Sequence, residues 1–297
     1  EILHNSGIFL SQLLLHDNVH ARSMDPPTQK GQILIDRREL GLAYKEMLES
    51  SANVEPRQAL ITSIEPDSGG YMVTTRLGER FQAACVVIAA GSFLKGEVTD
   101  SVGTVPGGRR CEIPSNALAL SLQSMGIQFC EVHAASASRF DARSIAAISA
   151  GSGPRRANLP ADGSQLNEIY GAGVDSTADE PAVYCEAAAA SVGEPWVTRN
   201  QYYVRHLTLS AGQVNPSLES PDHPGLFFAG RVAGCSSYVE AAVTGLIAGQ
   251  NACQRATGKE PDELPAGHAV ASQLCEAIAT KKSRPVSVND GNISVTS

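Results

Sequence analysis

The residues best suited to chemistry lie in one stretch, Gly225 to Asn251. It opens with a short apolar run, Leu226-Phe227-Phe228, whose length and Gly punctuation predict a buried strand. A loop from Gly230 to Gly234 follows, carrying Arg231, and then Cys235. A helical stretch comes next, with small residues at Ala241, Ala242, Gly245, Ala248, Gly249 and Ala252. A strand, tight loop and helix of this kind presents backbone N–H groups at the helix start, which suits a phosphate or another anion. The small-residue face lets the helix lie close to a sheet or a flat ligand. Plain packing in an α/β core explains the same pattern, and both readings stay open. Cys235 and Cys253 flank the helix; each is read either as a redox-active thiol or as a small apolar residue. Glu240 in the first helical turn suits the helix dipole without a catalytic role.

The surrounding chain supplies the elements that must hold this stretch. Cys85-Val86-Val87-Ile88-Ala89-Ala90-Gly91 is a continuous apolar run ending in small residues. It reads as a parallel strand buried on both faces, with a close-approach point at its end. Asp67-Ser68-Gly69-Gly70 is a hairpin turn signal. Strands are expected over Pro56–Glu65, Tyr71–Thr75 and Arg80–Ala83, with Gly78 in a second turn. Asp36 caps a helix from about Arg37 to Ser50, and Ser115 caps one from Asn116 to Met125, ended by Gly126. Ile33–Ile35, Ile127–Val132 and Pro195–Leu209 read as strands; Ala182–Val192 and Ala269–Thr280 read as helices. Residues 1–31 and 96–115 read as irregular, and the tail from Lys281 as partly loose. The order of strands and helices is that of an open α/β sheet with a small antiparallel insertion.

Composition narrows the function. The chain has 297 residues, 23 Lys and Arg against 31 Asp and Glu, and a net charge of −8. That balance argues against a protein built around a nucleic-acid groove, which needs clustered cations. The seven cysteines form no C-x-x-C pair, so neither a zinc site nor a disulfide framework is expected, and a reducing compartment is the natural setting. No metal site, transmembrane run or secretory signal is read from the sequence. The location expected is the cytoplasm, or an organelle in a eukaryote.

Three stretches together carry a resemblance. They are Val86–Gly96, Arg139–Ile145, and Asn167–Gly173 followed by Asn215–Ser220 and the Gly225–Asn251 stretch. In order and spacing they resemble the flavin-binding part of the glucose-inhibited division protein A family (GidA, also MnmG), which modifies the wobble uridine of certain tRNAs. The last stretch is also similar to the folate- and flavin-dependent tRNA uracil methyltransferases. The resemblance implies a Rossmann-like FAD/NAD(P)-binding sheet, here without the family's N-terminal βαβ unit, with FAD as cofactor, NADH and methylenetetrahydrofolate as co-reactants, and tRNA as partner, and a protein partner or homodimer besides. It implies cofactor contacts position by position. Leu60 falls where a strand backbone meets the adenine side of FAD. Ala90 and Gly91 fall at a strand end beside the cofactor. Gly230 and Arg231 fall where the family has Gly-Gln near the flavin and ribityl chain, with Gly234 closing the loop. Tyr238 falls at the start of the helix under the flavin, two residues before Glu240. Arg231 is read as a partner for a phosphate or a flavin carbonyl.

The departures matter as much. No G-x-G-x-x-G occurs in the chain, although that loop holds the FAD pyrophosphate in the family. The family's Lys-Thr-Gly-Thr-Pro-Pro-Arg run is here His133–Arg139, with the Arg alone kept. Gly153-Pro154-Arg155-Arg156-Ala157 lacks the Cys proposed as a family nucleophile. Arg109-Arg110 and Arg155-Arg156 are read as tRNA-phosphate contacts or solvated loop charges. No residue is assigned a catalytic role. The chain reads as a partial or diverged member, with its boundaries at 1–95 (partial FAD-binding region with a hairpin insertion), 96–210 (inserted region), 211–260 (return to the FAD-binding domain) and 261–297 (helix and tail). A general FAD- or NAD-dependent oxidoreductase and a non-catalytic remnant of the fold are the alternatives.

Overall fold

The computed structural model describes residues 21–23, 33–35, 37–136, 139–141, 168–170, 197–199, 202–235, 238–261, 269–280, 286–289 and 292–295. In chain order these form β1 (Ala21–Ser23), β2 (Ile33–Ile35), α1 (Arg37–Ser50), β3 (Ile61–Asp67), β4 (Gly70–Thr75), β5 (Arg80–Ala83) and β6 (Val86–Ile88). Next come β7 (Glu97–Thr99), β8 (Thr104–Pro106), α2 (Asn116–Ser124), β9 (Phe129–Ser136), β10 (Arg139–Asp141), β11 (Glu168–Tyr170), β12 (Val197–Arg199) and β13 (Tyr202–Leu209). The chain continues through β14 (Leu226–Phe228), a 3-10 turn (Gly230–Ala233), α3 (Tyr238–Ala256), α4 (Ala269–Thr280), β15 (Val286–Asn289) and β16 (Asn292–Val295).

The element that organises the rest is β14. Leu226, Phe227 and Phe228 are each 0% exposed. Removing side chains of this size from water stabilises by about 1.5–3 kcal/mol each. β14 pairs in parallel with β6, Leu226 opposite Val86 and Phe228 opposite Ile88. Val243 and Ile247 of α3, and Leu274 and Ile278 of α4, join the same core. So do Leu118 and Leu122 of α2 and Ile64 of β3. Ser121 rivets α2 to β3: its hydroxyl accepts from the Ile64 N–H at 3.0 Å and donates to the Ile64 carbonyl at 3.1 Å.

Two antiparallel sheets flank this pair. β3, β4 and β5 form a meander around the Asp67–Gly70 turn. β8, β7, β13 and β9 form a second sheet in that order. Its strand β13 has the alternation a sheet between two layers requires. Leu207 and Leu209 point into the main core, while Tyr202 and Val204 join Val98 in a smaller cluster.

Several expectations change. Residues 96–115 hold β7 and β8, short strands that Gly and Pro made look like a loop. Within the irregular N-terminal stretch, Ala21–Ser23 pairs with Ile33–Ile35. The first strand of the meander begins at Ile61 rather than Pro56. β6 is not buried on both faces, because Val87 is 36% exposed. Ser115 stands at the α2 N-cap without making a side-chain cap bond, and Gly126 ends the helix as expected with φ +92°. The tail pairs as a β15–β16 hairpin. The helix expected over Ala182–Val192, Arg155-Arg156 and Trp196 lie outside the described residues.

Candidate functional site at the ends of the parallel strands

β6 and β14 both end at the same edge, and both turn sharply there. After β6 the chain runs through Ala89 and Ala90 to Gly91, whose φ is +57°. After β14, the Ala229 N–H donates to the Ile88 carbonyl at 3.0 Å, keeping the two strand ends together. Gly230 follows with φ +70°. A Cβ there would stand 3.6 Å from Ala241 Cβ, an ordinary contact. The backbone conformation, not space, therefore calls for glycine.

Two threonines grip the turn from opposite sides. Thr208 of β13 shares its hydroxyl hydrogen between the carbonyls of Arg231 (3.0 Å) and Val232 (2.9 Å). Thr244 of α3 accepts from the Gly230 N–H at 3.0 Å and donates to the Glu240 carbonyl at 2.8 Å. The Gly234 N–H donates to the Arg231 carbonyl and the Cys235 N–H to the Gly230 carbonyl. The N–H groups of Gly230, Gly234 and Cys235 are thus used inside the protein. They do not form the anion cradle that a Gly-rich loop suggests.

The sequence-derived candidates divide accordingly. Ala90, Gly91, Gly230, Arg231 and Gly234 are brought together at this edge. Tyr238 opens α3 nearby; it is 54% exposed, and its hydroxyl donates to that of Tyr44 on α1 at 3.1 Å. Leu60 lies on the meander, where its carbonyl accepts from the Arg76 N–H at 2.8 Å. Ile61 pairs with Thr75, so Leu60 sits at the end of the meander away from Tyr71.

Cys235 is 2% exposed, and burial pushes its thiol up to about 12. Its place near the helix start does not make it a thiolate. Burial likewise raises Cys85, Cys130 and Cys275. Cys253 is exposed within α3. Among the described residues no group of three or more His, Cys, Asp and Glu is placed to hold a metal ion.

Beyond the turn, Arg109 lies over the Phe93 ring at 5.7 Å from its centroid and 4.0 Å from Glu112. Arg110 pairs with Asp100 at 3.6 Å. His133 belongs to β9, opposite Arg205 of β13.

Sequence reading missed His206 and Thr208. They lie two apart on β13, on the face that Tyr202 and Val204 also share. His206 is 1% exposed. Its Nδ1 is 3.4 Å from the Val204 carbonyl, and its Nε2 has no hydrogen-bond partner. Burial, and then the Arg231 charge, push the imidazole down to about 4. It is therefore neutral at pH 7. The available signal was two polar residues continuing the buried parity of a strand.

This edge suits the flavin end of FAD better than its pyrophosphate. Gly91, half-buried, offers backbone without a side chain, Arg231 offers a cation, and His206 offers an unpaired buried nitrogen. The diphosphate finds no comparable set of open amides in the Gly230–Cys235 segment.

Comparison with known proteins agrees in family and fold. The family model described as glucose inhibited division protein A matches residues 11–172 and 195–260. The tRNA uridine 5-carboxymethylaminomethyl modification enzyme MnmG of Heliobacterium modesticaldum is 24% identical over 79% of this chain and 48% of its own length. Its counterpart from Thermus thermophilus is 25% identical over 84% of this chain and 54% of its own. The chain spans about half the length of such relatives. The form II crystal structure of Aquifex aeolicus GidA superposes with a TM-score of 0.78 at 19% identity, covering 96% of this chain and 59% of that one. The form I structure gives 0.72 at 20% identity, covering 87% and 57%. Among the described residues no helix is long and apolar enough to cross a membrane.

Proposed function

The chain belongs to the glucose inhibited division protein A family, and on that premise we propose that it binds FAD and serves the modification of tRNA wobble uridines. The observation that carries the reading is the shared edge of β6 and β14, where two parallel strands end in glycine turns beside α3. Ligands of open α/β sheets bind outside the carboxyl ends of their strands.

Gly91 lets a flat ring approach the backbone, and the positive φ of Gly230 shapes the turn beside it. Arg231 binds a phosphate or a flavin carbonyl. Thr208 and Thr244 hold the turn so that these groups keep their places before a ligand arrives. Leu60, Gly234 and Tyr238 complete the cofactor surface. When bound, reduced FAD supplies the electrons that fix a folate-borne one-carbon unit on carbon 5 of uracil, with NADH as the reductant and methylenetetrahydrofolate as the donor.

The Rossmann-like FAD-binding parts are residues 1–95 and 211–260, around an inserted region at 96–210 and followed by 261–297. tRNA is the macromolecular substrate, a second copy or a partner protein completes the assembly, and the work takes place in the cytoplasm or an organelle.

A second reading has its own support. Burial raises four thiols, and the turn amides are internally bonded, which favours a flavin-holding but non-catalytic member of the family. The test is direct. The purified chain is titrated with FAD, and its visible spectrum and melting temperature are recorded. Binding at near-unit stoichiometry is expected; no spectrum and no thermal shift at high excess would refute FAD binding. Retention of a tRNA transcript then separates a tRNA-modifying role from a general oxidoreductase, and turnover separates both from the non-catalytic reading.

A further inference from the structure

A neutral imidazole nitrogen sealed from water without a partner destabilises the fold. His206 Nε2 is one of two buried side-chain nitrogen or oxygen atoms without a partner among the described residues. The other, Ser220 Oγ, belongs to the segment that leads into the opposite, amino-terminal end of β14: the Ser220 N–H donates to the Leu226 carbonyl. Only His206 lies beside the glycine turn.

Its placement is specific. His206 shares a strand face with Thr208, whose hydroxyl is bonded to the turn carbonyls of Arg231 and Val232. The charge of Arg231 reaches the ring, as does that of His133 on the neighbouring strand. The Val204 carbonyl can only accept, so the ring hydrogen belongs on Nδ1 and Nε2 is a bare acceptor. Arg231, by contrast, can only donate. An acceptor beside a donor is complementary to a ligand edge bearing N–H beside C=O.

We infer that His206 Nε2 accepts the N–H of an imide edge while Arg231 donates to the adjoining carbonyl. The pyrimidine end of a flavin and the uracil base share that chemistry. The inference rests on the proposed function insofar as it seats a ligand at the β6–β14 edge. Nε2 is closed to solvent, so the ligand displaces what covers it; Arg231 is half-buried on the adjoining turn. His206 is thus a specificity-determining residue. Its low proton affinity keeps it an acceptor throughout the physiological range.

The test uses the full 297-residue chain. Dissociation constants for FAD, and for lumiflavin against N3-methyllumiflavin, are measured by flavin fluorescence on the wild type, His206→Phe and His206→Gln. The imidazole nitrogen resonances are followed by NMR as FAD or uridine monophosphate is added. FAD is expected to bind His206→Phe about tenfold or more weakly than the wild type, with partial recovery in His206→Gln. The N3-methyl flavin should bind the wild type no better than it binds His206→Phe. If FAD binds wild type and His206→Phe equally, the inference is overturned while the flavin reading stands. If FAD does not bind but uridine monophosphate moves the Nε2 resonance, the inference stands with uracil as its ligand and the flavin reading falls. If neither ligand moves it, both fall. Should His206→Phe not fold, equal wild-type affinity for the two lumiflavins overturns the inference by itself.

Discussion

The two ends of β14 are fastened by different chemistry. At its amino-terminal end, Glu219 is 3% exposed and receives three hydrogen bonds. They come from Arg255 Nε at 2.9 Å, Arg255 Nη2 at 2.8 Å and the Gly225 N–H at 2.7 Å. Tyr71 adds a bond to the Pro224 carbonyl at 2.9 Å, and burial, then the Glu219 charge, push its hydroxyl up to about 12. At the carboxyl end two threonine hydroxyls and backbone bonds hold the turn. There a buried imidazole remains unpaired. One end satisfies a charge with planar, bidentate geometry, the arrangement that makes a buried ion pair structurally committed. The other tolerates an unpaired acceptor, which has no stabilising explanation and fits a place kept for a ligand.

The comparison is most easily broken at the charged end. Glu219→Ala strands the Gly225 N–H and leaves Arg255 with the exposed Glu260 in place of its buried partner, and should cost about 4 kcal/mol in urea unfolding. A loss below about 1 kcal/mol would mean that Arg255 and Gly225 simply rehydrate, and that the two ends do not differ in kind.

The next effect is a pH dependence at the other end. The unfolded His206 binds a proton near 6.5, the folded one near 4. Protonation therefore favours the unfolded chain as pH falls through that window. Stability should drop by about 3 kcal/mol between those values and level off below them. His206→Phe should remove that share of the slope; an unchanged slope would show that the ring is hydrated in the native state.

Thr208→Val tests the hydroxyl fastening. It withdraws the donor from two turn carbonyls at nearly constant shape, and should cost about 1.5 kcal/mol in the same unfolding assay. It should also weaken FAD binding if the turn needs holding. The smallest effect is expected for Ser220→Ala, which removes an orphaned hydroxyl. Its stability should lie between unchanged and about 1 kcal/mol higher. Destabilisation there would show that Ser220 Oγ carries a water.

The legible parts of this architecture are those in which neighbouring residues in sequence do the work. α1 and α4 appear at their expected bounds because cap signals and apolar spacing are local. Leu226–Phe228 is recognisable as a strand because a short apolar run bounded by glycines has few alternatives. β7 and β8 were hidden because each has three residues, and their pairing with each other and β13 depends on distant chain. The same limit applies to the site. Gly91, Gly230 and Arg231 are visible in a pattern, whereas the partnership of Thr208 with residue 231 joins a strand to a 3-10 turn elsewhere in the chain. Val87 projects from the face of β6 opposite Val86 and Ile88, and its apolar sequence does not reveal that this face is exposed there.

Helix α3 touches both ends of the strand. Thr244 holds the turn, while Asn251 donates to the Ser217 carbonyl at 2.9 Å and Arg255 clamps Glu219. The helix and strand are therefore riveted along their length and cannot open one end at a time without breaking the others. In hydrogen–deuterium exchange, the Gly225 and Gly230 amides should leave protection at one common rate, as members of a single cooperative unit. The edge that meets the ligand would then inherit the kinetic persistence of the ion pair at the far end of the strand.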